Sequence, residues 1–144
     1  MTMKIFTKKI FMLSAAILLS VGAFAQEEEI TSPIHLQFSK LEKTADFVIN
    51  KLPEMAQLDF DKIRFPLTLR HWRHGDRFHP LGMKGSKLLS DFFVDQKLTE
   101  WQKQNVWLLV SADGDILWVV GQRIDDRFKV TAETKSVFRC KMKR

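Results

Sequence analysis

Between Arg70 and Lys87 the chain sets Arg70, Arg73, Arg77, Lys84 and Lys87 among His71, His74, His79 and the glycines Gly75, Gly82 and Gly85. Core packing alone does not select that composition. Three guanidinium forks and two ammonium groups on one short segment are the donors a phosphate group needs. Pro80-Leu81-Gly82-Met83-Lys84-Gly85 is expected to form an irregular loop with exposed backbone amides, running into a helix N-terminus whose dipole favours an anion. Read from charge alone, the same residues fit a solvated basic face equally well. Trp72 is expected to be packed or, if exposed, to stack on a base.

Other chemistries find less support. His71, His74 and His79 fall across a strand and a turn, with no nearby cysteine and with Asp76 as the one additional ligand, so no metal site is expected. No nucleophile motif surrounds Cys140 or any serine. Asp91 and Asp95 share a helix face, where pairing with Lys87 is a commoner fate for a carboxylate than catalysis. Gly82-Met83-Lys84-Gly85-Ser86-Lys87 lacks the spacing of a nucleotide P-loop, so these residues do not support ATP binding.

The elements that must position this segment can be read from periodicity. Residues 57–60 and 67–72 suit strands on either side of Pro66, the second placing Leu67, Leu69 and His71 on one face and Thr68, Arg70 and Trp72 on the other, which aims Arg70 away from the core. Gly75-Asp76 predicts a turn. Leu88, Leu89, Phe92 and Phe93 make one apolar stripe on a helix over 87–95, with Ser86 as its cap. Thr99-Glu100-Trp101-Gln102 fits a capping box for a second helix ending near Asn105. Residues 106–110 and 116–120 read as strands of a hairpin turned by Asp113-Gly114, and 128–131 and 136–140 as two more strands. Residues 30–53 carry a weaker pattern: Phe38 and Leu41 could share a helix face, and Phe47-Val48-Ile49 suits a short strand.

The 144 residues, 45% hydrophobic and 11% aromatic, are enough for one folded domain with a real core. A net charge of +6 favours an anionic partner. Lys4, Lys8 and Lys9 sit in a leader, however, and without residues 1–25 the charge falls from +6 to +3, so the distribution of charge carries the argument. The leader reads as a secretory signal peptide: its basic start precedes an apolar run from Ile10 to Leu19 and a small-residue pattern at Ala23-Phe24-Ala25. The run is shorter than the ~20 residues of a spanning helix. A buried or amphipathic N-terminal helix is the other reading. The single cysteine excludes an intrachain disulfide.

The run Leu69-Arg70-His71-Trp72-Arg73-His74-Gly75-Asp76-Arg77-Phe78-His79-Pro80-Leu81-Gly82-Met83-Lys84-Gly85 resembles the C-terminal domain of bacterial tRNA(Ile)-lysidine synthetase. The likeness continues through Ser90-Asp91-Phe92-Phe93-Val94-Asp95, Ile116-Leu117-Trp118-Val119-Val120-Gly121, Arg123-Ile124-Asp125 and Phe128-Lys129-Val130-Thr131, covering about residues 58–138. The resemblance implies a compact α+β module that helps hold tRNA, in a family whose enzyme uses ATP to join lysine to the wobble cytidine of isoleucine tRNA. The family's Ser-Gly-Gly-x-Asp-Ser pyrophosphate loop does not occur between Met1 and Arg144, and the leader is a second departure.

Together these readings predict a compact single α+β domain, a small mixed or antiparallel sheet with two or three short helices, preceded by a hydrophobic leader helix. The expected organisation is a leader at 1–25, a linker and weakly structured lead-in at 26–56, and the synthetase C-terminal-like domain at 57–144. The expected function is tRNA recognition without catalysis, through Arg70, Arg73, Arg77, Lys84, Gly85 and Lys87 as phosphate contacts. No cofactor is expected in this chain, ATP belonging to the full-length enzyme. The expected partners are isoleucine tRNA and a catalytic domain on another chain, with no stable membrane span once the leader is removed. That role implies the cytoplasm, whereas the leader implies the periplasm or secretion, and with it an exported basic binding or structural protein. A non-functional gene fragment is the third reading.

Overall fold

Apolar residues at alternate positions build two antiparallel sheets in the computed structural model, which describes residues 2–6 and 26–143. The first sheet has the strand order β1 (Thr2–Phe6), β5 (Leu67–His71), β8 (Trp107–Val110), β9 (Ile116–Val119) and β10 (Arg123–Ile124). The second has the order β2 (Gln26–Ile30), β3 (Leu36–Glu42), β11 (Ser136–Met142) and β4 (Met55–Asp59). A small ladder pairs β6 (Arg77–Phe78) with β7 (Lys87–Leu88), and two helices follow it, α1 (Leu89–Asp95) and α2 (Glu100–Asn105). The described residues thus form an α+β fold. The apolar run of the expected leader helix lies outside them. No helix among the described residues is long and apolar enough to cross a membrane.

The five-stranded sheet is covered on both faces. Leu67, Leu69, Leu109 and Trp118 point to the four-stranded sheet, where they meet Leu36, Phe38, Leu58, Phe138 and Cys140 in the main core. Leu108, Val110, Ile116 and Val119 point the other way, onto Phe78 and the α1 stripe Leu89, Phe92 and Phe93. Alternation along β8 therefore serves two cores at once. This double cover has a consequence for β5, whose outward-alternating face, carrying Arg70, meets protein and not open water.

Several expectations are corrected. Residues 26–56 supply β2, β3 and the start of β4 to the same sheet as β11, because Leu36 and Phe38 alternate inward and β3 is paired along both edges. Phe38 and Leu41 are thus strand residues. Phe47-Val48-Ile49 forms no strand, since local turns capture the neighbouring amides: Asn50 N–H donates to Gln57 Oε1 at 2.7 Å, Leu52 N–H to Asn50 Oδ1 at 2.9 Å and Met55 N–H to Leu52 O at 3.0 Å. The expected strand at 128–131 starts instead in a 3₁₀ turn (Asp126–Phe128), because the Asp125 carboxylate accepts the Arg127 N–H at 2.8 Å and caps it. The Thr99–Gln102 capping box and the Asp113-Gly114 hairpin stand as expected, with Gly114 at φ 88°.

Candidate nucleic-acid interface

The five cations of the 70–87 segment end in different surroundings. Arg70, on the face of β5 turned toward α1, is nearly buried and clamps Asp76 with both guanidinium nitrogens, Nη1 at 2.9 Å and Nη2 at 3.0 Å. Asp76 also accepts the Arg73 N–H at 2.7 Å. Burial raises the Asp76 carboxyl, but the hydrogen bonds and charge of Arg70, with the Arg73 N–H, outweigh it and hold the group below its ordinary range. Arg70 is therefore a structural cation that fixes the turn, not a free phosphate contact. Lys87 forms an ion pair with Asp95 one helix length away, the partner its position suggested.

Arg73, Arg77 and Lys84 remain on the surface. Arg73 and Lys84 have no ion pair among the described residues. Arg77 donates from Nε to Ser86 Oγ at 3.1 Å and from Nη2 to Ser86 O at 3.4 Å, which orients the guanidinium across the loop while leaving its charge uncompensated. Ser86 thus serves Arg77 and does not cap α1, whose first position follows Leu88 with no side-chain cap. The first amide of that seven-residue helix, Leu89 N–H, is taken by Asp76 O at 2.9 Å, so the expected dipole site is not offered.

The loop amides are mostly satisfied from within. Leu81 N–H donates to Ile124 O, Gly82 N–H to Asp126 Oδ1 and Met83 N–H to Pro80 O, at 3.0, 3.2 and 3.0 Å. Lys84 and Gly85 keep theirs without an acceptor among the described residues. Gly82 at φ 84° and Gly85 at φ 75° take the left-handed backbone that the bends require.

Asp125 anchors the loop, and sequence reasoning assigned it no role. Wholly buried, it accepts the His79 N–H on Oδ2 at 2.9 Å and the Arg127 guanidinium on both oxygens at 3.1 Å. Next to it Asp126 N–H donates to His79 O at 2.6 Å, and the Gly82 N–H, with Lys129, holds the Asp126 carboxyl below its ordinary range. Its partner His79 lies 46 positions away, and the two come together only on folding. The result is a basic loop held in one shape before any ligand arrives.

The remaining candidates separate. Trp72 is half-buried, its Nε1–H donating to Lys103 O at 3.0 Å and its ring set edge-to-face with Phe93 at 5.2 Å, so it is not an open stacking platform. The exposed indole is that of Trp101 in α2, 72% accessible. His71 holds Val106 O at 2.9 Å through Nδ1 and stacks on Trp107, His74 is exposed on the turn, and His79 Nδ1 lies 3.7 Å from Asp125. Among the described residues no three His, Cys, Asp or Glu side chains converge as metal ligands.

Known proteins resemble this chain. The sequence model of the family described as TilS substrate C-terminal domain matches residues 67–140. The tRNA(Ile)-lysidine synthase of Parabacteroides distasonis is 53% identical over 105 residues, 73% of this chain and 24% of that protein. The tRNA(Ile)-lysidine synthase of Bacteroides thetaiotaomicron is 38% identical over 120 residues, 83% of this chain and 28% of that protein. The chain therefore spans about a quarter of the length of these relatives. The crystal structure of a TilS C-terminal domain superposes with a TM-score of 0.65 at 20% identity, covering 79% of this chain and 88% of that one, a likeness of fold. An N-terminal fragment of the phenylalanyl-tRNA synthetase β-subunit from Pyrococcus horikoshii gives a TM-score of 0.53 at 26% identity, covering 60% of this chain and 27% of that one.

Proposed function

This chain belongs to the TilS substrate C-terminal domain family, and from that premise we propose that it docks tRNA, isoleucine tRNA in particular, through the surface of Arg73, Arg77 and Lys84. The observation that carries the reading is the contrast among the cations. Arg70 and Lys87 are neutralised by Asp76 and Asp95, whereas the three that remain sit on or beside a loop fastened by Asp125. Phosphate contacts need uncompensated charge at the surface, and these residues supply it, with the Arg77 guanidinium oriented by Ser86. The free amides of Lys84 and Gly85 add neutral donors at the same place.

In this reading the domain positions RNA and does not transform it. ATP and the joining of lysine belong to a catalytic domain on another segment or another chain, and this module needs no cofactor of its own. Its place of action is the cytoplasm, where tRNA is modified. The test is the salt dependence of binding to isoleucine tRNA. Each lost phosphate contact flattens the slope of log affinity against log salt by about 0.7 to 0.9, so Arg73→Ala and Lys84→Ala should each do so. Slopes unchanged in both variants, or affinity for isoleucine tRNA no greater than for an unrelated tRNA, would overturn the surface assignment or the specificity respectively.

A further inference from the structure

Beside the basic loop lies a groove of about 450 Å³ between the 49–53 segment and β10. Its apolar rims are Ile49 and Leu52 on one side and Leu81 and Ile124 on the other. Of the seven large hydrophobic residues exposed among the described residues, five (Val48, Ile49, Leu52, Leu81 and Met83) fall on the 48–52 segment or on the loop itself. Three of them, Ile49, Leu52 and Leu81, line the groove itself, and exposed apolar side chains that share one groove mark a surface that is covered in use. The charge around this groove is one-sided: Lys51 and Arg123 line it, Asn50, Gln57 and Gln122 add amides, and no carboxylate does. Lys51 has no ion pair among the described residues, and the Arg123 guanidinium lies over the Phe92 ring at 5.4 Å. Leu81 belongs to both the groove and the loop, so the two surfaces are continuous.

A flat apolar body carrying an anion fits that combination. We propose that the groove takes an unpaired nucleotide of the RNA whose phosphates Arg73, Arg77 and Lys84 hold, its base between the aliphatic rims and its phosphate toward Lys51. This rests on the phosphate-docking reading of the loop. An apolar protein segment would use the rims but leaves Lys51 and the Gln122 side chain without a role.

The experiment compares the full chain on a blunt RNA duplex and on a duplex with single-stranded adenosine tails and the same number of phosphates, by fluorescence anisotropy. Wild type is expected to bind the tailed RNA about fivefold or more tightly, the lower range for holding one base. Ile49→Ser combined with Leu52→Ser, both at exposed positions, should abolish that preference and leave the salt slope on the blunt duplex unchanged. Equal affinity of wild type for the two RNAs, or a preference that survives in the double variant, overturns the proposal and leaves the groove to a protein partner, with the loop reading intact. Failure of wild type to bind either RNA overturns the loop reading and this one with it.

Discussion

Replacing Asp76 by Asn should destabilise the domain while leaving the number of phosphate contacts unchanged. Asp76 accepts three hydrogen bonds, two from the Arg70 guanidinium at 2.9 and 3.0 Å and one from the Arg73 N–H at 2.7 Å, and the paired side chains are only 11% and 15% exposed. Losing one partner of a fully buried pair costs about 3 to 5 kcal/mol. Some water reaches both groups here, so the cost falls toward the roughly 1.5 to 3 kcal/mol of hydrogen bonds to charged groups, and we expect about 2 to 3 kcal/mol. At this chain length that lowers Tm by about 7 to 10 °C. Urea titration followed by tryptophan fluorescence measures it, and a cycle with Arg70→Met should return a coupling of about 1.5 kcal/mol or more. The pH dependence has a definite sign. The folded carboxyl lies below its ordinary value of 3.8, so its stabilisation is complete above that value and is lost as pH falls through the lower folded one. The gap between wild type and Asp76→Asn should therefore narrow as the pH is lowered below 3.8. A gap under about 0.5 kcal/mol at neutral pH, within the range of an ordinary surface change, would refute the structural role. So would a flattening of the RNA salt slope by Arg70→Met as large as that caused by Arg73→Ala.

Asp125→Asn leaves the Arg127 guanidinium and the His79 amide without their buried anion, and should cost about 3 kcal/mol in urea unfolding while weakening RNA binding through the loosened loop; a stable variant with unchanged affinity would show that the anchor is dispensable. Gly85→Ala places a side chain at φ 75° in open space, so the strain alone should cost about 1 to 2 kcal/mol, and crowding adds nothing. A calorimetric Tm equal to wild type would contradict that backbone angle. Cys140 is fully buried, and burial pushes its thiol well above the ordinary range. A disulfide thiol reagent should therefore label it only in denaturant, and rapid labelling in native buffer would exclude its place in the core.

Local signals were legible where a segment's own residues satisfy its backbone. Thr99 and Gln102 cap each other, Asp113-Gly114 turns its hairpin, and the stripe of Leu89, Phe92 and Phe93 finds a core. The 30–53 region was misread because β3 is held by β2 on one side and by β11, some hundred positions later, on the other. No periodicity within the segment reports such pairing.

By itself the sequence determined the α+β character of the domain, the glycine-bearing basic loop and the likeness that places the chain in its family, since all three depend on residue types at fixed short spacings. Only the tertiary structure decided which cations are available. Arg70 and Arg73 are three positions apart and equally basic on paper, yet the cover over both faces of the five-stranded sheet buries the first against Asp76 and leaves the second at the surface. The shape of the loop was decided in the same way, by the Asp125 carboxylate, 46 positions along the chain from His79. Electrostatic pairing depends on distance in space: the turn after β5 returns Asp76 to Arg70 six positions earlier, and the fold brings Asp125 to His79 across 46 positions.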